Sequence, residues 1–151
     1  MHATDSTVVR DARLKYFKQN GFAQDGGYSD KWVKLKIGPA AVPFPNPPAR
    51  QRAVWLHDLH HIATGYETSW TGEAEMAAWE LGSGCGNYYA AWVLDSMTLG
   101  VGLFVAPRRV WNAFQKGRQS TSLYCSNVDE RIFNETVGQL RQRLQGAKER
   151  P

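Results

Sequence analysis

His57-Asp58-Leu59-His60-His61, followed by Glu73, is the stretch on which the reading of this chain turns: it spells HDxxH, eleven residues, then glutamate. Pro47 and Pro48 stop any earlier helix. From Arg50 onward Trp55, Leu56, Leu59, Ile62 and Ala63 recur at helical spacing until Gly65, so the spacing predicts a helix. At about 100° per residue His57 and His61 project within roughly 40° of each other, with Asp58 on one flank and His60 on the other. Trp55, Leu59 and Ile62 point the opposite way, into a core. An i, i+4 histidine pair of this kind offers two imidazoles to one divalent ion.

Thr71 reads as the N-cap of a second helix over residues 72–81, because its hydroxyl can accept a free amide of the first turn. That puts Glu73 in the first turn. A short loop over 65–70 then folds the two helices into a hairpin and carries the Glu73 carboxylate to the histidine pair. Glu80, two turns along the same face, is placed to support it from behind. Taken singly, Asp58 is a solvated helix charge and Glu73 a carboxylate favoured by the helix dipole. Three of the chain's four histidines within five positions move both toward a metal site. His60 points elsewhere and is expected to be a neighbour of the site. Two histidines with carboxylates suit zinc first, with iron(II) or manganese as alternatives.

These residues resemble the fourth coenzyme Q (ubiquinone) biosynthesis protein family, helical proteins marked by HDxxH with a glutamate twelve positions after the second histidine. The likeness runs on through Ile62-Ala63-Thr64-Gly65-Tyr66, Gly72-Glu73-Ala74, Gly117-Arg118 and Ser122-Leu123-Tyr124, and so spans roughly residues 50–145. The resemblance implies a metal held by His57, Asp58, His61 and Glu73. It also implies a part in head-group modification of quinone precursors: decarboxylation, with or without hydroxylation, of the ring of a prenylated hydroxybenzoate. On that reading the protein is a metal-dependent lyase or oxidative decarboxylase, with whichever of Asp58 and Glu73 does not bind acting as a base. Its partners would be a lipid-like prenylated aromatic substrate and other quinone-biosynthesis enzymes. The chain departs from the mitochondrial members in being shorter, in lacking their targeting region, and in its own segment from Gly26-Gly27-Tyr28 to Trp32-Val33. The alternatives are a non-enzymatic, metal-stabilised lipid-binding scaffold and a related lyase for another small molecule. A metallopeptidase is disfavoured because aspartate stands where its glutamate base would be, and an HD-type phosphohydrolase because the only upstream histidine is His2.

The rest of the chain predicts an all-α protein: one domain over 1–151, a compact helical bundle with its metal site on a helical hairpin and a proline-rich strap ahead of it. With 151 residues, 42% of them hydrophobic, it can bury a core without disulfides, and Cys85 and Cys125 read as reduced thiols. The net charge of +4 is scattered and no nucleic-acid motif accompanies it, so a nucleic-acid partner is not expected. Residues 1–7 read as a loose tail, 8–19 as a helix, 31–37 as an extended segment without a partner, and 38–48, with five prolines, as an irregular connector. Residues 88–105 approach membrane-spanning length, but Asp95 at their centre argues for a buried core helix. Asp95 then needs a partner, either an arginine or the surroundings of the metal. Pro107 opens a helix whose Arg108 and Arg109 oppose the dipole and hint at an acidic partner, and 128–144 closes the domain as a last helix. Between the hairpin and the 88–105 helix a cavity is expected for a prenyl-like tail, with Gly100 and Gly102 leaving room and Trp79, Tyr88 and Trp92 lining it. A cytoplasmic protein is expected, with a peripheral place on the inner membrane as the alternative; homo-oligomerisation is left open.

Overall fold

The computed structural model describes residues 3–23, 25–28, 30–37 and 40–145. Its order is α1 (Val9–Asn20), β1 (Trp32–Ile37), β2 (Ala40–Pro45), α2 (Pro48–Thr64), α3 (Trp70–Ser83), α4 (Tyr89–Val105), α5 (Pro107–Arg118), two short 3-10 turns (Leu123–Cys125 and Glu130–Asn134) and α6 (Val137–Leu144). Helix dominates, as expected of an all-α protein. The chain punctuates these helices where its chemistry allows. Gly21 takes the left-handed conformation after α1, at φ 68°, where the Phe22 amide returns to the Phe17 carbonyl at 2.9 Å. Pro48 starts α2 with its φ preset and Gly65 ends it, donating its amide to the His61 carbonyl at 2.8 Å.

Several boundaries differ from expectation for physical reasons. The cap of α3 is Ser69, whose hydroxyl accepts the Gly72 amide at 3.2 Å, so the helix starts earlier than a Thr71 cap would allow. Part of the proline-rich connector is a strand. β2 pairs antiparallel with β1, in a register that sets Pro43 opposite Lys34 and Pro45 opposite Trp32. Prolines two apart turn their missing donors to the same edge, and in a two-stranded hairpin that edge needs no partner. The last helix is short, because Thr136 and Gln139 cap each other reciprocally and restart the helix at Val137. Residues 3–7 are docked rather than loose: the Val137 amide donates to the Thr7 carbonyl at 2.8 Å, and Arg141 holds both the Asp5 carboxylate and the Ala3 carbonyl.

The core joins α2, α3, α5 and α6, with Leu56, Leu59, Met76, Val110, Leu123 and Leu140 essentially inaccessible. α3 and α5 cross in backbone contact through reciprocal glycines. A β-carbon on Gly82 would lie 2.5 Å from the Phe114 carbonyl oxygen, and one on Gly117 would lie 2.2 Å from that of Trp79. No larger residue fits either position without parting the helices. Arg109 bonds Glu75 of α3 at 2.6 Å, which supplies the acidic partner its place in the first turn of α5 implied.

The expectation of a buried core helix fails for α4. Its buried stripe consists of Ala91, Asp95 and Gly102, while Tyr89, Met97, Val101 and Phe104 face outward. Gly102 explains the narrow seam, since a β-carbon there would sit 2.4 Å from that of Ala74; Gly100 meets only open space. Hydrophobic composition predicted burial, but the other elements cover one stripe of this helix.

Gly117→Ala is expected to destabilise the fold by about 1–3 kcal/mol, the usual cost of overpacking. Urea denaturation with the same slope and a lower midpoint would bear this out, and an unchanged midpoint would refute the tight crossing.

Candidate metal centre

His57 and His61 stand one turn apart on α2, on the side turned to α3, and the Ser69 cap sets Glu73 in the first turn of α3 opposite them. Two ring nitrogens and the Glu73 carboxylate converge there. His57 Nε2 lies 3.1 Å from His61 Nε2 and 3.3 Å from the Glu73 carboxylate, and His61 Nε2 lies 3.4 Å from its other oxygen. With metal–ligand bonds of about 2.0–2.1 Å, a tetrahedral ion holds its ligands roughly 3.3–3.4 Å apart. The 3.1 Å between the nitrogens and the 3.3 and 3.4 Å to the two Glu73 oxygens are close to that spacing, and the group can hold a metal ion.

The other ring nitrogens decide the protonation. His57 Nδ1 is 3.0 Å from both Glu80 oxygens, and His61 Nδ1 is 2.9 Å from the Tyr66 carbonyl. Both partners only accept, so each Nδ1 carries the proton and each Nε2 turns a lone pair inward. Two lone pairs and a carboxylate facing one another require positive charge between them. Without a metal a proton supplies it: burial alone would lower the His57 pKa, but Glu80 and Glu73 outweigh burial and hold it well above the ordinary value. Glu73 responds in kind. Burial would raise its pKa, yet the two histidines hold it down at about 2.

Glu80, two turns along α3, is the fixed point behind the site and has no exposed surface. Besides His57 it accepts from His60 Nδ1 at 2.6 Å and from the Tyr124 hydroxyl at 3.3 Å. The Leu123 amide donates to His60 Nε2 at 2.9 Å, which fixes the opposite tautomeric end, and burial keeps that ring neutral by lowering its pKa. Asp95 of α4 completes the cluster. Burial first, and the neighbouring Glu80 second, push its pKa up to about 9, so it stays protonated at neutral pH, and the Cys85 thiol approaches it at 3.5 Å. His57, Glu80 and Asp95 also lie within ligand distance of one another. Glu80 is already engaged by three donors, so this second group is better read as a hydrogen-bond network supporting the first. The partner Asp95 required is thus Glu80 and not an arginine.

Asp58 stands apart from the converging atoms. Its carboxylate takes the hydroxyls of Tyr16, at 3.3 Å, and Tyr28, and burial raises its pKa. The Tyr16 ring stacks on His61 with centroids 5.8 Å apart, so Asp58 acts on the site by holding the ring behind that ligand. Sequence reasoning missed Tyr16, Tyr28, the Tyr66 carbonyl and the role of Tyr124. Their separation from the motif leaves no periodic signal.

A cavity of about 240 Å³ lies where the sequence placed one, between the hairpin and α4. His57, Glu73 and Asp95 form its polar base and Ala53, Val54 and Leu94 part of its apolar wall, with Arg50 and Thr98 also on the lining. The aromatic residues expected there do other things. Trp79 packs on the His60 ring, Tyr88 on Tyr124, and Trp92 bonds the Gly86 carbonyl from the outer surface. Gly102 belongs to the seam with α3, so enlarging it would part helices rather than fill the cavity. A larger recess of about 520 Å³, between α1 and the 65–69 loop, meets only His61 of the three converging residues.

His61→Ala is expected to abolish stoichiometric divalent metal. Glu80→Gln, which weakens the acceptor behind His57, should lower affinity by about 10–100-fold, read by competition with a chelating dye. Full metal retention in His61→Ala would refute the centre. Asp95 makes a separate prediction. Because its folded pKa is raised, its contribution to stability is complete below the ordinary carboxyl value, about 4, and is lost as pH rises toward about 9. Asp95→Asn, which stays neutral, should therefore lose less stability than the parent between pH 5 and 9. Parallel profiles in urea denaturation would count against a protonated Asp95.

Compared with known proteins, the chain matches no family model, no curated protein sequence and no solved structure.

Proposed function

We propose that the protein is a metal-dependent lyase that removes the ring carboxylate of a lipid-linked hydroxybenzoate, a head-group step of ubiquinone-type quinone biosynthesis. The observation that supports it most is that two of the three converging residues, His57 and Glu73, line a cavity with an apolar wall, a protonated carboxyl at its base and an arginine on its lining. Zinc, or iron(II) or manganese in its place, would act there as a Lewis acid, drawing electron density from the ring as carbon dioxide departs. The chain's own residues account for the rest. Arg50, oriented by a 2.8 Å bond from its guanidinium to Asn46, favours an anionic substrate. Ala53, Val54 and Leu94 surround the ring and exclude water. When the carbon–carbon bond breaks, its electron pair stays on the ring carbon, and Asp95 holds a proton that this carbon can take. Hydroxylation at the same carbon would need dioxygen as a co-substrate, to supply the oxygen atom and accept electrons.

The cavity's volume suits an aromatic ring and is too small for a polyprenyl tail as well. The tail must therefore run out past Leu94 and Thr98, along α4. A substrate of this kind fits a protein working at a membrane surface, and no described helix is long and apolar enough to cross one.

The test is to incubate metal-loaded protein with a short-chain 3-prenyl-4-hydroxybenzoate, with and without air, and follow the product by mass spectrometry. Loss of carbon dioxide is expected from the parent, little or none from His61→Ala, and a reduced rate from Asp95→Asn. A ligand that binds and stays unchanged in every condition would overturn catalysis and favour a non-enzymatic lipid-binding scaffold.

A further inference from the structure

We infer that the outward face of α4, continued by the start of α5, docks on an anionic lipid bilayer, with α4 lying along the membrane surface. Phe104 is 92% exposed, Tyr89 80%, Met97 68% and Val105 64%, and Leu94, Val101 and Leu103 are exposed between them. A helix that is apolar almost all round needs cover, and α3 and α5 cover one stripe of this one. Its 17 residues give a rod of about 25 Å. That is too short to span a bilayer and well suited to lying in the headgroup boundary.

Charge decides between lipid and a second copy of the chain. From 89 to 118 the only acidic residue is Asp95, which is buried, whereas Arg108, Arg109, Lys116 and Arg118 are all exposed. A second copy laid on this face would meet cations and no exposed carboxylate on α4 or α5, in any orientation. Anionic headgroups answer Arg108, Lys116 and Arg118 directly, while Arg109 is already paired with Glu75. The aromatics agree: Tyr89 and Trp92 of α4 and Trp111 of α5 are exposed, and amphipathic rings favour the bilayer interface. The surface is also continuous with the metal centre, because Leu94 and Thr98 of α4 line its cavity. The inference deepens the reading of a lipid-linked substrate by naming the phase from which that substrate enters.

The experiment is sedimentation of the full chain with vesicles of phosphatidylcholine, alone or doped with phosphatidylglycerol. Binding is expected to the doped vesicles, to weaken with salt, and to be much poorer with phosphatidylcholine alone. The double variant Met97→Ser, Phe104→Ser alters exposed side chains only, and should bind about tenfold more weakly or worse while keeping its helical circular dichroism and its metal. Arg108→Gln with Lys116→Gln should remove most of the preference for phosphatidylglycerol; Arg109 is left intact because it bonds Glu75. The inference is overturned if the parent ignores both vesicles, or if it is a dimer in solution that the Met97, Phe104 variant converts to monomer. Vesicle binding needs no turnover. Intact docking with no decarboxylation would sink the proposed reaction alone, and decarboxylation of a short-chain substrate without docking would sink this inference alone.

Discussion

The buried carboxylate of Glu80 is the contact on which the rest of the molecule depends. An ionised group with no exposed surface is costly unless donors surround it. Here they come from His57 and His60 of α2 and from Tyr124 of the 3-10 turn, with protonated Asp95 of α4 beside them. Burial alone would raise the pKa of Glu80, but its histidine partners hold it well below the ordinary range. One charge thereby ties four elements together. The same bonds set the His57 tautomer, so the contact that organises the core also aims a lone pair at the metal position.

Around that point the structure divides rigid from open. The reciprocal glycines of α3 and α5 bring two backbones into contact, and a helix packed so closely can present Glu73 and Glu80 at fixed height. On the other side, α4 is fully buried only at Ala91, Asp95 and Gly102, and the cavity beside His57 and Glu73 lies along it. The converging ligand atoms and the cavity beside them are both set by α3, whose other flank is locked against α5.

Asp58 illustrates how a motif can be read correctly in position and differently in role. Neighbouring residues on a helix diverge by about 100°, so His57 and Asp58 need not serve one centre. His57 turns to α3, and Asp58 turns to the phenols of Tyr16 and Tyr28. Its carboxylate then braces the ring stacked on His61, a support that the motif's spacing does not reveal.

The sequence by itself determined the elements whose signals are local. Helical periodicity from Arg50 to Ala63, the stop at Gly65, the i, i+4 histidine pair and the first-turn position of Glu73 were all legible, because a turn of helix sets them within a few residues. Proline at the start of α5 and glycine after α1 were legible for the same reason. Tertiary structure decided everything that depends on distant partners: that Ser69 and not Thr71 caps α3, that prolines two apart can share the free edge of β2, and that His60 bonds an amide sixty-three residues away. It also decided that the most apolar helix lies at the surface. Hydrophobic residues state a preference for leaving water, but whether other elements are present to receive them is a property of the whole fold.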